Sequence, residues 1–260
     1  MPLLSLEDRL APALRKLELH ARFTADDRAA LYGLPFAARS MEASRYLVRE
    51  QDRITNCSVL LSGFAFRSKI VGNGGRQILS MHIPGDILDL QHAFLGVADH
   101  NIQMLSAGEV AYVAVEAVRD LAFARPIVGH AMWIDTLIEG SIFREWIANV
   151  GRRNAKTRVA HFLCEIAVRF QAAGLTTGNR YELPMTQEQL GDATGLTPVH
   201  VNRTLQVLRG EGVISRAKQT ITIENWKALS DIGDFATAYL HSLAPLGSRS
   251  FSAEGYHFLR

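Results

Sequence analysis

Cysteine is scarce in this sequence, and its two thiols lie far apart along the chain. Cys57 and Cys164 are the only cysteines among 260 residues, which is too few for a disulfide framework and the wrong spacing for a CxxC metal site. Apolar stretches long enough to cross a bilayer are also missing, and charges throughout the first thirty residues argue against a signal peptide. These absences predict a soluble protein of the reducing cytoplasm without a membrane partner.

An excess of charge of one sign is also absent, since the chain carries 28 basic and 26 acidic residues. The distribution is nevertheless uneven. Residues 1–150 hold 15 basic and 17 acidic residues, whereas residues 151–218 hold 10 and 5. Local positive charge of this kind is what a polyanion would require of its partner, although a solvated basic helix has the same composition.

The spacing of apolar residues changes along the chain. Residues 1–30 have the three- and four-residue spacing of a helix, at Leu6, Leu10, Leu14 and Leu17. Between residues 36 and 118, short β-rich segments at 58–66, 77–82 and 110–115 alternate with glycine-containing turns. Many short strands joined by such turns predict a sandwich, roll or barrel.

A long helix is predicted after Pro126, a residue that suits a first helical turn. The apolar positions that we assign to a dimer interface on this helix are Ile127, Ala131, Ile134, Ile138 and Ile142. Further apolar residues, Trp133, Leu137, Phe143 and Ile147, lie alongside. A helix apolar over so wide an arc must be covered on two sides, by the β-rich region and by a second copy of the chain. Burial inside a monomer is the alternative.

A helix-turn-helix pattern follows a further helix predicted at 155–172. Thr186 and Gln189 form a capping box at the start of one helix, and Gly195 permits the left-handed turn that ends it. Thr197 can cap a second helix, with Pro198 in its first position. A helix, a short turn with glycine and a second helix are typical of DNA-binding proteins.

The second helix has a buried and an exposed side at 100° per residue. Val201, Leu205 and Leu208 fall on the buried side. The side chains predicted to read DNA bases are Val199, Asn202, Arg203 and Gln206, because arginine pairs with guanine and amides pair with adenine. A strand–turn–strand at 213–223 predicts a wing. The residues predicted to contact phosphates are Thr186, Thr197, His200, Arg216 and Lys218. An exposed polar helix face has a plain alternative, a solvated surface.

These residues resemble the Crp/Fnr family of transcription regulators. The stretches that carry the resemblance are Leu183 to Gly191, Gly195 to Leu205 and Glu211 to Ile214, with Ser62-Gly63, Gly75 and Pro84-Gly85-Asp86 further back. The resemblance implies an α+β fold with an N-terminal double-stranded β-helix, a cyclic-nucleotide-binding-like β-roll. A long dimerisation helix and a C-terminal winged helix-turn-helix would follow. It implies that Arg203 contacts guanine, whereas Val199 replaces a glutamate frequent in the family, so the operator should differ.

The sensory half departs from the best-known members. Those that bind cyclic AMP have Gly-Glu and Arg-Ser pairs, where this chain has Asp89-Leu90 and the residues near 98–101. A cyclic phosphate would therefore meet carboxylates without a nearby cation. An N-terminal cysteine cluster for an iron–sulfur centre is also missing. We predict no cofactor and leave the effector unknown. The candidate metal or haem ligands are His82, His92 and His100, which are otherwise turn and surface residues.

The sequence thus predicts four segments: a sensory β-roll with its N-terminal helix at 1–125, a dimerisation helix and hinge at 126–152, a winged helix-turn-helix at 153–224, and a C-terminal helix with a flexible tail at 225–260. The predicted function is a bacterial homodimeric regulator, not an enzyme, that binds a palindromic DNA operator and contacts RNA polymerase. A metal-, haem- or redox-responsive regulator and a cupin-like metal-binding protein stay open as alternatives.

Overall fold

The structure, a computed structural model, describes residues 6–241 and divides into two compact units between Gly140 and Ser141. The first unit begins with two helices, α1 (Leu6–Glu18) and α2 (Ala25–Tyr32). Leu10, Leu14 and Leu17 are buried, which confirms the helical spacing. The predicted continuous helix is interrupted before α2, because Thr24 caps a new helix and accepts a hydrogen bond from the backbone of Asp27.

Two antiparallel sheets form the centre of the first unit. Their strands are β1 (Phe36–Met41), β2 (Tyr46–Val48), β3 (Asn56–Ser62), β4 (Ala65–Ile70), β5 (Arg76–His82), β6 (Asn101–Met104) and β7 (Gly108–Ala114). One sheet has the order β1-β7-β3 and the other β2-β6-β4-β5. Leu60 and Val110 of the first sheet and Ile102 and Met104 of the second share one apolar core. The predicted β-roll is therefore confirmed.

Close approach of two turns explains two of the glycines in the β-rich sequence. Gly63 has a positive φ of 78°, which favours a residue without a Cβ. A Cβ added to Gly108 would overlap the carbonyl oxygen of Ser62. The turn after β3 therefore packs directly on the start of β7. Two short helices complete this part of the chain, α3 (His92–Leu95) and α4 (Val115–Ala124).

Helix α5 (Pro126–Arg152) begins where the sequence predicts, but its sides are used differently from the prediction. Ala131, Ile138 and Ile142 are buried within the chain itself. Side chains covered in this way offer little surface to a second copy, and the dimer interface on α5 stays a prediction. The large apolar side chains of α5 that are exposed are Ile127, Trp133, Leu137 and Ile147, and Ile134 is half-buried.

As far as His241, the second unit contains four α-helices after α5 and one sheet. The helices are α6 (Ala155–Ala172), α7 (Gln187–Thr194), α8 (Pro198–Gly210) and α9 (Trp226–Gly233). The strands are β8 (Thr176–Thr177), β9 (Arg180–Glu182), β10 (Ile214–Ala217) and β11 (Thr220–Ile223), in the antiparallel order β10-β11-β9-β8. Residues 173–180, predicted as a loop, thus contribute strand β8 and extend the predicted wing hairpin into a four-stranded sheet.

A buried polar network surrounds Glu165 of α6. The indole Nε1 of Trp146 and the hydroxyl of Tyr239 each donate a hydrogen bond of 2.9 Å to Oε2 of Glu165. Arg169 donates to its other oxygen at 3.4 Å. Burial raises the pKa of Glu165, although these partners act in the opposite direction. Within the second unit, the network connects α6 to the end of α5 through Trp146 and to the segment after α9 through Tyr239.

The C-terminal helix is shorter than the predicted span of residues 226–240. Helix α9 ends at Gly233, because Asp234 adopts a left-handed conformation, and a 3-10 turn then covers Ala238–Leu240. Beyond His241 the chain lies outside the described residues, and so does the predicted flexible tail. Between residues 6 and 241, no helix combines the length and the apolar character needed to span a bilayer.

Candidate nucleic-acid interface

Helix α7 and the turn after it have the geometry that the sequence predicts. The backbone N–H of Gln189 donates to Oγ1 of Thr186 at 3.1 Å, and Oε1 of Gln189 accepts from the backbone of Thr186 at 2.9 Å. Gly195 ends the helix with φ of 66°. A Cβ on Gly191 would lie 2.5 Å from the carbonyl oxygen of Leu196, so a glycine lets α7 pack closely against the turn.

Helix α8 begins with the predicted cap and buries the predicted side. Oγ1 of Thr197 accepts a hydrogen bond from the backbone N–H of His200 at 3.3 Å, and Pro198 occupies the first turn. Val201, Leu205 and Leu208 are buried, which confirms the predicted inner face. Because these three side chains anchor α8, the opposite side of the helix must face outward.

That outward side carries the four side chains predicted to read bases, Val199, Asn202, Arg203 and Gln206, all of which are exposed. Val199 has an exposed fraction of 79 %, which is unusual for a large apolar residue and leaves its methyl groups free to contact a ligand. Among residues 6–241, the guanidinium of Arg203 has no hydrogen-bond or ion-pair partner. Base reading by these residues stays a prediction.

A groove of about 230 Å³ separates α8 from the wing. Its lining residues are Gln187, Asn202, Leu205, Gln206, Arg209, Arg216 and Lys218. Lys218 forms the tip of the hairpin with a positive φ of 55°, and its carbonyl accepts a hydrogen bond of 3.0 Å from Nε of Arg216. The groove therefore contains three cationic side chains and no carboxylate, a composition suited to phosphate oxygens.

Arg209 was missed as a candidate by the sequence analysis. It lies one turn beyond Gln206 on α8, so helical spacing alone could have found it. The predicted phosphate ligands Thr186, Thr197 and His200 are all exposed at the first turns of α7 and α8. Backbone N–H groups at helix starts favour anions, and the contacts of these residues with phosphate stay predictions.

A second group of chemically active side chains lies inside the first unit. Asp89, His92 and His100 are buried, and their nearest ligand atoms all lie within 4.8 Å of one another. The third predicted ligand, His82, is placed elsewhere: its Nε2 is 3.0 Å from Oγ of Ser80, and its Nδ1 is 3.4 Å from Asp86. The structure therefore brings His92 and His100 together with Asp89 and not with His82, and metal binding by these histidines stays a prediction.

His100 is held in a defined protonation state by its surroundings. Burial and the charge of nearby Arg67 together lower the pKa of His100 to about 4. Its Nδ1 lies 2.6 Å from Oδ1 of Asp99. Despite the opposing effect of partial burial, the hydrogen bond from His100 lowers the pKa of Asp99. An ionised carboxylate can only accept, so Nδ1 carries the proton and Nε2 has a free lone pair.

The structure corrects the expectation that the carboxylates of this region lack nearby cations. Lys16 of α1 lies 2.9 Å from Asp86. Arg67 of β4 donates 2.7 Å and 2.6 Å hydrogen bonds to Glu139 and to the carbonyl of Leu88. Both cations come from distant parts of the sequence, which explains why a local search for arginine missed them. Exclusion of cyclic nucleotides stays a prediction that rests on the missing sequence pairs alone.

The two cysteines are free and buried. Burial raises the pKa of Cys57 to about 12, with a further contribution from the charge of Asp89. Burial alone raises the pKa of Cys164 well above its ordinary value. Both therefore remain thiols at neutral pH, which favours the interpretation of small packed residues over that of redox switches.

The second unit contains a recognisable class of DNA-binding domain. Residues 157–232 match the Crp-like helix-turn-helix domain, a match that includes α7, α8 and the wing. Over 231 residues the chain is 25% identical to the transcriptional activator protein FnrL of Cereibacter sphaeroides, covering 85% of this chain and 90% of the relative. It is 25% identical to the fumarate and nitrate reduction regulatory protein of Escherichia coli K12, over 75% of this chain and 77% of that protein.

The fold outside this domain has relatives as well. The structure of FixK2 from Bradyrhizobium japonicum superposes with a TM-score of 0.71 at 24% identity, covering 78% of this chain and all of that one. Over most of its length the chain is therefore similar to transcription regulators of the Fnr and FixK type, and residues 157–232 match their Crp-like helix-turn-helix domain. Because the relatives are transcription regulators and not enzymes, the cupin-like alternative is not favoured.

Proposed function

We propose that this protein is a transcription regulator that binds a specific duplex DNA sequence through α8 and its wing. The observation that carries the proposal is the exposed guanidinium of Arg203, which has no partner among residues 6–241, on a helix whose opposite side is buried. Asn202 and Gln206 on the same side supply amides that can pair with adenine. The cationic groove beside them supplies positive charge for the sugar–phosphate backbone.

The same proposal includes a homodimer on a palindromic operator. Two α8 helices in successive major grooves require half-sites about 34–36 Å apart, or one helical turn of DNA. The exposed apolar side chains of α5 offer a surface for pairing, since Trp133 and Leu137 lie one helical turn apart and are more than half exposed. A cytoplasmic location and contact with RNA polymerase belong to this proposal, while the effector is left open.

Selection of bound duplexes from a randomised DNA library tests the proposal directly. We expect the recovered sequences to share an inverted repeat whose half-site centres are 10 to 10.5 base pairs apart. Recovery of sequences without any shared motif, at an affinity set by salt alone, would remove sequence-specific binding. A single, non-repeated half-site would retain base reading by α8 but contradict the dimer.

The substitution Arg203→Ala tests the base-reading residue. We expect the selected operator to be bound about 5- to 150-fold more weakly, which corresponds to about 1–3 kcal/mol, with relaxed specificity at one base pair of each half-site. Fluorescence anisotropy with the operator and its single-base variants measures both effects. The exposed Arg22 in the first unit provides a charge-matched control, Arg22→Ala. Equal discrimination by Arg203→Ala and the control would contradict the assignment.

The wing makes a different prediction, because phosphate contacts carry no sequence information. Lys218→Ala should lower the affinity for operator and non-operator duplexes by similar factors. It should also reduce the slope of log K against log salt concentration by about 1. Titrations at several salt concentrations measure this slope. Lys227→Ala on α9, where the lysine is paired with Asp231 at 2.7 Å, is the control. An unchanged slope in Lys218→Ala would show that the wing does not reach the backbone.

A further inference from the structure

We propose that Asp89, His92 and His100 form a binding site for a divalent transition-metal cation inside the first unit. The exposed fractions of these residues are 0%, 1% and 4%, and one ligand atom from each lies within 4.8 Å of the others. The site is separate from the DNA interface, and its test does not depend on DNA binding.

The unsatisfied polar atoms of this cluster are the first argument. Both carboxylate oxygens of Asp89, both ring nitrogens of His92 and Nε2 of His100 are buried without a hydrogen-bond partner among residues 6–241. A buried polar group without a hydrogen-bond partner destabilises the fold, and a charged group does so more strongly. One ligand atom from each of the three residues can share a common partner. A cation would satisfy those three lone pairs and the charge of Asp89 together.

Neither a proton nor a neighbouring side chain fills that role. Nδ1 of His92 and Oδ1 of Asp89 are 3.6 Å apart, beyond hydrogen-bond distance, and a proton shared by this pair would still leave Nε2 of His100 without a hydrogen-bond partner among residues 6–241. The guanidinium of Arg67, whose charge acts on His100, already forms a 2.7 Å ion pair with Glu139 and donates a hydrogen bond to the backbone carbonyl of Leu88. The charge of Asp89 therefore needs another source of compensation.

The separations suit a metal ion. Two ligands bound to zinc at 2.0–2.1 Å in a tetrahedron lie about 3.3 Å apart, close to the 3.6 Å between Asp89 and His92. The backbone N–H of His92 donates to the carbonyl of Asp89 at 2.9 Å, and this turn brings the two side chains together. The rings of His92 and His100 stack with their centroids 5.1 Å apart. Small side-chain rotations would bring the third ligand into the same shell.

An outer carboxylate completes the arrangement. Oδ1 of Asp99 lies 2.6 Å from Nδ1 of His100, which fixes the ring and leaves Nε2 as the nitrogen available to a metal. A carboxylate hydrogen-bonded to the far nitrogen of a ligating histidine is the usual companion of metal sites and strengthens the ligand. Two imidazoles and one carboxylate favour zinc, iron, cobalt or nickel over magnesium and calcium, which prefer oxygen ligands. Three protein ligands leave one position for water or another small molecule.

Metal titration of the full-length protein, first stripped with a chelator, tests the site. We expect one equivalent of Zn²⁺ per chain in competition with a chromophoric chelator, and no competition from Mg²⁺. Co²⁺ should bind to the same site with visible absorption that lacks a thiolate charge-transfer band, because neither Cys57 nor Cys164 is a ligand. Failure of the wild-type protein to bind one equivalent would overturn the proposal.

Substitution of the outer carboxylate separates a metal site from a structural cluster. Asp99→Asn is expected to weaken Zn²⁺ binding about 10- to 100-fold. The side chain of Asp99 is 80% exposed, so its replacement should leave the fold intact. Asp120→Asn, at an exposed position of α4, is the matched control and should bind as the wild type does. His92→Asn should no longer bind the one equivalent of Zn²⁺ that the wild type is expected to bind. Wild-type affinity in both Asp99→Asn and His92→Asn would overturn the assignment.

Discussion

The double substitution Trp133→Glu and Leu137→Glu on α5 is expected to give a monomer that binds its operator about 100- to 10,000-fold more weakly than the wild type. Both side chains are more than half exposed and one helical turn apart, so charges there would face each other across a symmetric interface. A dimer gains the second half-site as an intramolecular event, and a monomer loses that gain without any change in α8. Sedimentation and anisotropy measure mass and affinity.

The control for this prediction is Ile70→Glu. Ile70 has a similar exposed fraction at the end of β4, so it carries the same change of polarity away from α5. We expect that variant to remain dimeric with unchanged operator affinity. A dimeric Trp133→Glu, Leu137→Glu protein would show that the copies pair through another surface.

Replacement of Glu165 by alanine is expected to destabilise the second unit by about 3–5 kcal/mol, the usual cost of removing one member of a buried ionic network. The carboxylate is the acceptor for Nε1 of Trp146 and for the hydroxyl of Tyr239. Without it the indole N–H of Trp146 stays buried and unpaired, and the hydroxyl of Tyr239 keeps only Nε2 of His161, 3.2 Å away, of these two partners. Urea denaturation followed by tryptophan fluorescence measures the loss, because Trp146 reports on the site.

Glu165→Gln provides the matched comparison for this effect. The amide oxygen keeps an acceptor for Trp146 and Tyr239, while the charge facing Arg169 is lost. We therefore expect a clearly smaller destabilisation than in Glu165→Ala. Equal losses in the two variants would mean that ionic pairing with Arg169, rather than the hydrogen bonds from the other two residues, dominates the stability of the network.

The helix-turn-helix could be predicted from sequence because its determinants are local. Thr186, Gln189 and Thr197 act within three residues of their partners, and Gly195 acts at its own position. The sheet beside it could not be predicted in full. Strand β8 has only two residues and is defined by its pairing with β9, so the decisive hydrogen bonds are tertiary and leave no clear pattern along the chain.

The interface on α5 shows a second kind of limit. Apolar residues cover both sides of this helix, and helical spacing separates the two sides without saying which one the rest of the chain covers. Of the five residues predicted for the interface, the chain buries Ala131, Ile138 and Ile142, whereas Ile127 is exposed and Ile134 is half-buried. The choice depends on the packing of residues far away in sequence, such as Val128 and Ala131 against the core around Leu17 and Val118.

The cluster of Asp89, His92 and His100 depends both on local sequence and on the packing of distant residues. The turn that brings Asp89 and His92 together spans four residues, so this pair could have been found from the sequence. The addition of His100 and the removal of His82 depend on the sheet, since His82 ends β5 and His100 precedes β6. The distance between two histidines along the sequence therefore does not indicate whether their side chains lie close together in the fold.

Tyr239 determines where the DNA-binding unit can be separated from the rest of the protein. A recombinant fragment that stops at Ile223 would include the helix-turn-helix and the wing. It would nevertheless lack the hydroxyl that contacts Glu165 and the α9 backbone at Gly233 that accepts a hydrogen bond from His161 at 3.0 Å. Fragments for isotope labelling or crystallisation with DNA should therefore extend through Leu240.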